Sequence, residues 1–418
     1  MSARRGSRVA VLVAMVAIVA IGAGGCGSSP KPAERLDPQV DFLGVVNADW
    51  RDDAMADASV RLATELVALG EGANVVVSPL SLQLALAMLR EGATGRVADE
   101  IDAATGLSDG GSQAVADLRA MLAQFEGDVS TIDKDNPPES PLVHIADSVF
   151  VQPGFPVEET FLERVAAYHL AQVFEADFAA GNAKPLLDAW VKEETGGLLT
   201  EAPTDPPTDT RVVLMDAVTF GASWASPFAA EATSDGPFTL AEGSVVDVPM
   251  MRQMLSAAYV EGDGWTAIEL PYTEGFAMRI VLPDDGPVTQ GQWVAVRDAL
   301  AGAGTSAVSL TMPRWETDAT LDLTPALAAL GLGSLTDPQG GLDGVFAGAF
   351  VSAVGQGATI TVAEKGTVAA AVTQIGMQAS APAPPDLELR LDRPFEYQVV
   401  EVGTGLVLFA GRVVDPSA

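Results

Sequence analysis

The chain has 418 residues, a formal net charge of −33, 48% hydrophobic residues and a single cysteine. Such a charge repels phosphate backbones and anionic lipid, which argues against nucleic-acid or phosphate binding and favours solubility and basic partners. One cysteine permits no internal disulfide, and the apolar content is ample for a large core, in one domain or two to three smaller ones.

Arg4, Arg5 and Arg8 precede an apolar stretch at residues 9–23, too short to span a bilayer comfortably. Ala23-Gly24-Gly25 then leads to Cys26, followed by polar residues. The pattern predicts a secretory signal over residues 1–25. It also resembles a bacterial lipoprotein signal. That implies diacylation of Cys26 and stable attachment to the outer face of the cell membrane, with the rest of the protein extracellular. Simple secretion with cleavage near Gly25 is the alternative. Residues 26–52 read as lipid anchor and flexible tether, and residues 53–418 as the folded domain.

From Ala54 a helical period places Ala58, Leu62, Leu66 and Leu69 on one face. Asn74-Val75-Val76-Val77-Ser78-Pro79 reads as a short buried strand with a proline stop, residues 80–90 as an apolar helix and residues 97–104 as a further helix. Residues 145–151 are strand-like, and residues 158–173 form an amphipathic helical pattern. Residues 200–210 are a Pro-, Thr- and Asp-rich loop, and residues 211–220 read as a fully buried strand. From Val245 onward strand signals dominate: residues 245–248, 267–270, 277–282, 308–312, 359–363, 388–391, 397–402 and 406–413. Helices first and strands late predict an α+β fold.

One stretch stands apart. Residues 366–385 carry no charged side chain, in a chain that is 19% Asp, Glu, Lys and Arg. The first part, Gly366-Thr367-Val368-Ala369-Ala370-Ala371, can form a strand. The last part, Pro382-Ala383-Pro384-Pro385, cannot join a sheet interior, because proline has no N–H for a ladder. Such a segment suits a chain that is sometimes loop and sometimes strand.

Several motifs follow one another in a definite order. They are Asn74-Val75-Val76-Val77-Ser78-Pro79-Leu80-Ser81, Glu91-Gly92-Ala93-Thr94-Gly95, and Thr219-Phe220-Gly221-Ala222-Ser223-Trp224 with Pro227-Phe228. Val248-Pro249-Met250-Met251, Glu269-Leu270-Pro271-Tyr272, Ile280-Val281-Leu282-Pro283 and Glu364-Lys365-Gly366-Thr367 come next. Arg393-Pro394-Phe395 and Phe409-Ala410-Gly411-Arg412-Val413-Val414-Asp415-Pro416 close the series. In this order and spacing the chain resembles the serpin family over nearly all of its length beyond the tether.

The resemblance implies a serpin fold of three β-sheets and about eight or nine helices, with an exposed reactive-centre loop at about residues 364–386. It implies an irreversible suicide-substrate inhibitor of serine proteases rather than an enzyme. The target attacks the loop, and the loop inserts into the central sheet before the acyl-enzyme hydrolyses. Nucleophilic chemistry belongs to the target. The hinge residues are then Glu364, Gly366, Thr367, Ala369, Ala370 and Ala371. On insertion one strand face would carry Thr367, Ala369, Ala371, Thr373, Ile375 and Met377, all uncharged. Family spacing places the reactive bond at Ser380–Ala381, with Ala379–Ser380 and Met377–Gln378 as alternatives. Small residues there suit an elastase-like or subtilisin-like target, Met377 a chymotrypsin-like one, and the absence of Arg or Lys argues against a trypsin-like one.

Family positions also name a support set below the hinge: Ser78, Ser81 and Trp224, with Asp216 and Gln356 where the family has Asn and His. An Asp216–Gln356 hydrogen bond is one expectation, and two unrelated substitutions that tolerate burial are the other. Arg314 falls where it can pair with Glu364, either holding the hinge or forming a weak surface pair. His144 and His169 read as structural, since there is no G-x-S-x-G elbow. Acidic residues are too scattered for a metal site, and no glycine-rich nucleotide fingerprint follows a strand, so no cofactor is expected. Only Arg96 and Arg119 lie near residues 97–121, so no glycosaminoglycan site is expected. The protein is read as a monomer. A non-inhibitory serpin-fold binding or structural protein of the cell surface is the competing function.

Overall fold

The computed structural model describes residues 35–36, 38–70, 72–107, 111–133, 137–338, 340–367 and 387–418. Cys26, Ala369, Ala370, Ala371 and the reactive-bond candidates Met377, Gln378, Ala379, Ser380 and Ala381 lie outside the described residues. In chain order the first half contains α1 (Asp53–Leu69), β1 (Val75–Val77), α2 (Pro79–Arg90), α3 (Gly95–Thr105), α4 (Ser112–Leu122), β2 (Leu142–Val151), α5 (Glu159–His169), β3 (Gln172–Glu175), α6 (Lys184–Glu194) and β4 (Val212–Ser223). The second half is nearly all strand. It runs β5 (Ser234–Thr239), β6 (Val245–Gly262), β7 (Trp265–Pro271), β8 (Phe276–Pro283), α7 (Gln290–Gly302), β9 (Thr305–Pro313), β10 (Trp315–Asp322), β11 (Gly355–Ala363), β12 (Gly366–Thr367), β13 (Leu387–Arg390), β14 (Phe395–Glu401) and β15 (Val407–Val413).

The architecture is α+β. Six strands form one sheet in the order β10-β11-β12-β4-β2-β3. The remaining nine form a second hydrogen-bonded network. Three sheets become two because β6 is long enough to serve two neighbourhoods: its first part pairs with β5 and β9, its last part with β7. The described residues contain seven α-helices, and several further helical segments are single 3₁₀ turns, as at residues 324–326 and 333–336.

Local chemistry sets the elements near the sheet. Asp52 caps α1 by accepting from the Ala54 and Met55 N–H groups, and Leu62 and Leu66 are buried as the period requires. Leu69, expected on that face, is exposed, because the helix ends at Gly70. Ser78 caps α2 through the Ser81 N–H, with Pro79 in the first turn, where its missing N–H costs nothing. α2 then packs between β4 and β15 and buries Leu80, Leu84 and Ala87 in the core shared by the two sheets.

Two readings change. The helix expected over residues 158–173 stops at His169. Leu170 takes a left-handed conformation, φ 56°, and Gln172–Glu175 becomes β3, parallel to β2. Val173 and Phe174 gain sheet pairing and burial there that a longer helix could not provide. Part of the expected tether is also docked: Leu36 N–H bonds Val173 O at 2.8 Å, Leu43 N–H bonds Ala167 O at 2.9 Å, and Val45 N–H bonds an Asp117 carboxyl oxygen at 2.8 Å. Trp50 is buried against the core. Among the described residues no helix is long and apolar enough to cross a membrane.

On the outer face of β2, His144 bonds Glu126 through Nδ1 and Glu194 through Nε2, the latter at 2.9 Å. It thereby ties β2 to α6. Burial would lower the imidazolium pKa, but the two carboxylates outweigh it and lift the pKa to about 9. A folded pKa raised above the unfolded value gives stability that is complete below the unfolded pKa and is lost as pH rises through the folded one. Thermal melting of His144→Gln is therefore expected to fall furthest below the parent at about pH 6. The two curves are expected to converge by about pH 10.

Candidate functional site: a part-filled lane in the six-stranded sheet

β4 and β11 flank β12 but share no ladder with each other among the described residues. Gly366 pairs with Ser223 on one side and Ala363 on the other, and Thr367 with Ala222 and Val362. Beyond Thr367 the described chain stops, while β4 continues to Val212 and β11 to Gly355. Between them lies a cavity of about 370 Å³ whose walls include Ser81, Asp216, Val218, Gln356 and Ala358. This explains a difference from expectation. β4 is only part-buried over much of its N-terminal half, because the side that would complete its burial faces the empty lane.

Aromatic and backbone contacts hold the top of the lane. Gly366 is required there: a Cβ at that position would meet Ala222 O at 2.2 Å. Trp224 donates its indole N–H to Ala363 O at 3.0 Å and its backbone N–H to Lys365 O at 2.9 Å. Its ring stacks on Tyr272, centroids 4.5 Å apart and planes 7° from parallel. The Tyr272 hydroxyl lies 2.6 Å from Thr367 Oγ1, and both residues are 2% exposed. Burial pushes the Tyr272 phenol pKa far up, so it stays a neutral hydrogen-bonding group.

The hinge carboxylate is anchored more than once. Glu364 accepts from the Thr233 hydroxyl at 2.8 Å, its backbone O accepts from Phe228 N–H at 2.6 Å, and Arg314 Nε stands 3.4 Å from its other oxygen. The Arg314–Glu364 pair is therefore present. With Arg314 nearly half exposed it contributes under about 1 kcal/mol, and the hydrogen bonds do most of the holding.

Lower in the lane, Ser78 donates its hydroxyl to Leu408 O at 2.7 Å and accepts from Ser81 N–H at 3.1 Å. Gln356 spends its amide on the Ser78 backbone, accepting from N–H at 3.0 Å and donating to O at 2.7 Å. The Asp216–Gln356 hydrogen bond, one of the two expectations from sequence, is absent among the described residues: the Gln356 amide bonds the Ser78 backbone. Asp216 instead stands directly across the β2–β4 ladder from Asp147. Arg119 Nη1 meets Asp147 at 2.6 Å. The structure thus brings together Ser78, Ser81, Gln356 and Asp216 at one level, and Trp224, Arg314, Glu364, Gly366 and Thr367 at another.

Sequence reading missed Tyr272, Thr233, Asp147 and Arg119. Tyr272 was within a quoted motif, and a lone acid in the mostly apolar β2 was a signal for Asp147. Arg119 was weighed only for a glycosaminoglycan site, because its partner Asp147 lies in a different element, distant in sequence. Among the described residues no three His, Cys, Asp or Glu side chains converge as a metal-binding set.

A family model for serpins, described as serine protease inhibitors, matches residues 53–416. The chain belongs to the serpin family. It is 30% identical over 361 residues to an uncharacterized serpin-like protein of Thermococcus kodakarensis, covering 83% of this chain and 82% of that protein. It is 30% identical over 391 residues to human neuroserpin, covering 88% and 92%. Among solved structures, Serpin48 of the insect Tenebrio molitor superposes with a TM-score of 0.72 at 27% identity, covering 87% of this chain and 97% of that one. The six-stranded sheet with its open lane is the central sheet of this serpin.

Proposed function

We propose that this serpin is an irreversible suicide-substrate inhibitor of serine proteases, in which the cleaved loop enters the lane between β4 and β11. The observation that carries the reading is the seating of Gly366 and Thr367 at the top of that lane, below which β4 and β11 share no ladder with each other among the described residues. Continuing the same register would bring Thr373 between Asp216 and Gln356, and Met377 opposite Val212. The residues that would turn inward, Thr367, Ala369, Ala371, Thr373, Ile375 and Met377, include no charge and no proline. Burying either would cost several kcal/mol and stall entry.

The reactive bond in this reading is Ser380–Ala381, with Ala379–Ser380 and Met377–Gln378 as alternatives, and the target is an elastase-like or subtilisin-like protease. The serpin acts as a monomer, secreted and held on the outer face of the membrane through a lipidated Cys26. Mixing the protein with subtilisin, pancreatic elastase and chymotrypsin is expected to give an SDS-stable covalent complex with at least one of them. Clean loop cleavage, with every protease still fully active, would point instead to a non-inhibitory serpin-fold protein.

A further inference from the structure

Beside the lane, three charged side chains are buried together. Asp147 and Asp216 face each other across the β2–β4 ladder, on the side that packs against α2. The Asp147 side chain has no exposure, and that of Arg119, reaching from α4, is 5% exposed. Arg119 bonds Asp147 Oδ2 through Nη1 at 2.6 Å and Ile145 O through Nη2 at 3.0 Å. Both Asp216 oxygens and Asp147 Oδ1 are buried without a hydrogen-bond partner. The Ser81 hydroxyl of α2 faces Asp216 and favours its charge, but as two carboxylates the facing groups have no donor between them. A proton on one makes the pair donor and acceptor and leaves a single negative charge for Arg119.

We propose that Asp147 and Asp216 form a one-proton site, clamped by Arg119, that holds β4 to β2 along the flank of the lane and makes the opening of the central sheet sensitive to alkaline pH. Like charges directly opposite across a ladder destabilise it. Two carboxylates in one site keep one proton to high pH. Burial first, and then Asp147, push the Asp216 pKa well above the usual carboxylate range. Protonated Asp216 matches the shape of asparagine and can donate a hydrogen bond as asparagine does. Loss of that proton leaves two negative charges against one guanidinium, and the strand bordering the lane is pushed from its neighbour.

Few other groups intrude. α2 presents the hydroxyls of Ser78 and Ser81, and β11 presents the Gln356 amide. Arg90 and Glu91 lie at the far end of α2. His144 projects from the other face of β2 toward Glu126 and Glu194.

The sign follows from linkage. A raised folded pKa gives a contribution that is whole below the unfolded pKa and is lost as pH rises through the folded value. Asp216→Asn stays neutral at every pH. Thermal melting of the uncleaved protein is therefore expected to show Asp216→Asn and the parent together at about pH 4, the variant gaining steadily above it as pH rises. Parallel melting profiles across this range would overturn the proposal. If the variant does not fold, the parent alone decides. With aspartate carboxyl carbons ¹³C-labelled, one carboxyl signal is expected to remain in its protonated position at neutral pH, and complete ionisation of every aspartate by about pH 6 would overturn it. Aspartate labelling leaves out Glu396, another buried acid whose pKa burial raises. The functional consequence rests on the lane reading, but neither measurement involves a protease or loop insertion. They can therefore fail while that reading stands, or hold while it falls.

Discussion

Cutting the chain once between residues 367 and 387 is expected to raise its melting temperature by at least about 10 °C, with the molecule otherwise intact. The reasoning starts from the lane. β4 and β11 flank a cavity of about 370 Å³, and below Gly366 and Thr367 they share no ladder with each other among the described residues. An empty cavity costs about 24 cal/mol per Å³, so filling this one is worth at most on the order of 9 kcal/mol. Sheet hydrogen bonds along both sides add to that, each roughly 1 kcal/mol net, set against the entropy of ordering the strand. In the intact chain the segment is tied at both ends, at Thr367 in β12 and at Leu387 in β13, which pairs parallel to β9 in the other network. Severing it frees one end to travel. Circular dichroism melting of intact and cleaved protein measures the difference, and equal melting temperatures would mean that the lane is not filled after cleavage.

The lane was legible in the sequence only in part. The buried strand around Val75-Val76-Val77 and the apolar α2 followed from the apolar pattern, and the structure places them as expected; the capping of α2 by Ser78 was not read from sequence. Arg314 and Glu364 were paired by family position, and they meet. The end of α5 was not legible. The pattern through residues 170–173 fits a helix as well as a strand, and tertiary pairing with β2 decides it. Asp216 was read against Gln356 because both replace polar family residues at one level of the sheet. Two facts overturned that pairing. Ser78 had already claimed the Gln356 amide through its own N–H and C=O, groups that every residue carries and no motif marks. Strand register then set Asp147 opposite Asp216, and register depends on how two distant segments align. Tyr272 escaped for a similar reason: its partner, Thr367, lies far along the chain.

Thr367→Arg is expected to convert the protein from inhibitor to substrate: the loop is still cut, but the protease is released active. Thr367 already sits in the lane at 2% exposure, its hydroxyl 2.6 Å from that of Tyr272, beneath the Tyr272–Trp224 stack. The obstruction falls at the first step, because the position is occupied before any cleavage. A guanidinium cannot shed its charge and brings donors that the Tyr272 hydroxyl cannot satisfy. Burying it unpaired costs several kcal/mol, and each 1.4 kcal/mol added to the insertion barrier slows insertion about tenfold. In the proposed mechanism insertion competes with hydrolysis of the acyl-enzyme, so slower insertion lets hydrolysis win. The assay compares the ratio of covalent complex to cleaved serpin on a gel for the parent, Thr367→Arg and Thr367→Ser. The serine variant keeps the hydroxyl and is expected to inhibit as the parent does, which separates a burial effect from the loss of one hydrogen bond. Undiminished complex formation by Thr367→Arg would show that the hinge does not have to remain in the lane, and the seating of Gly366 and Thr367 could no longer be taken as the start of insertion.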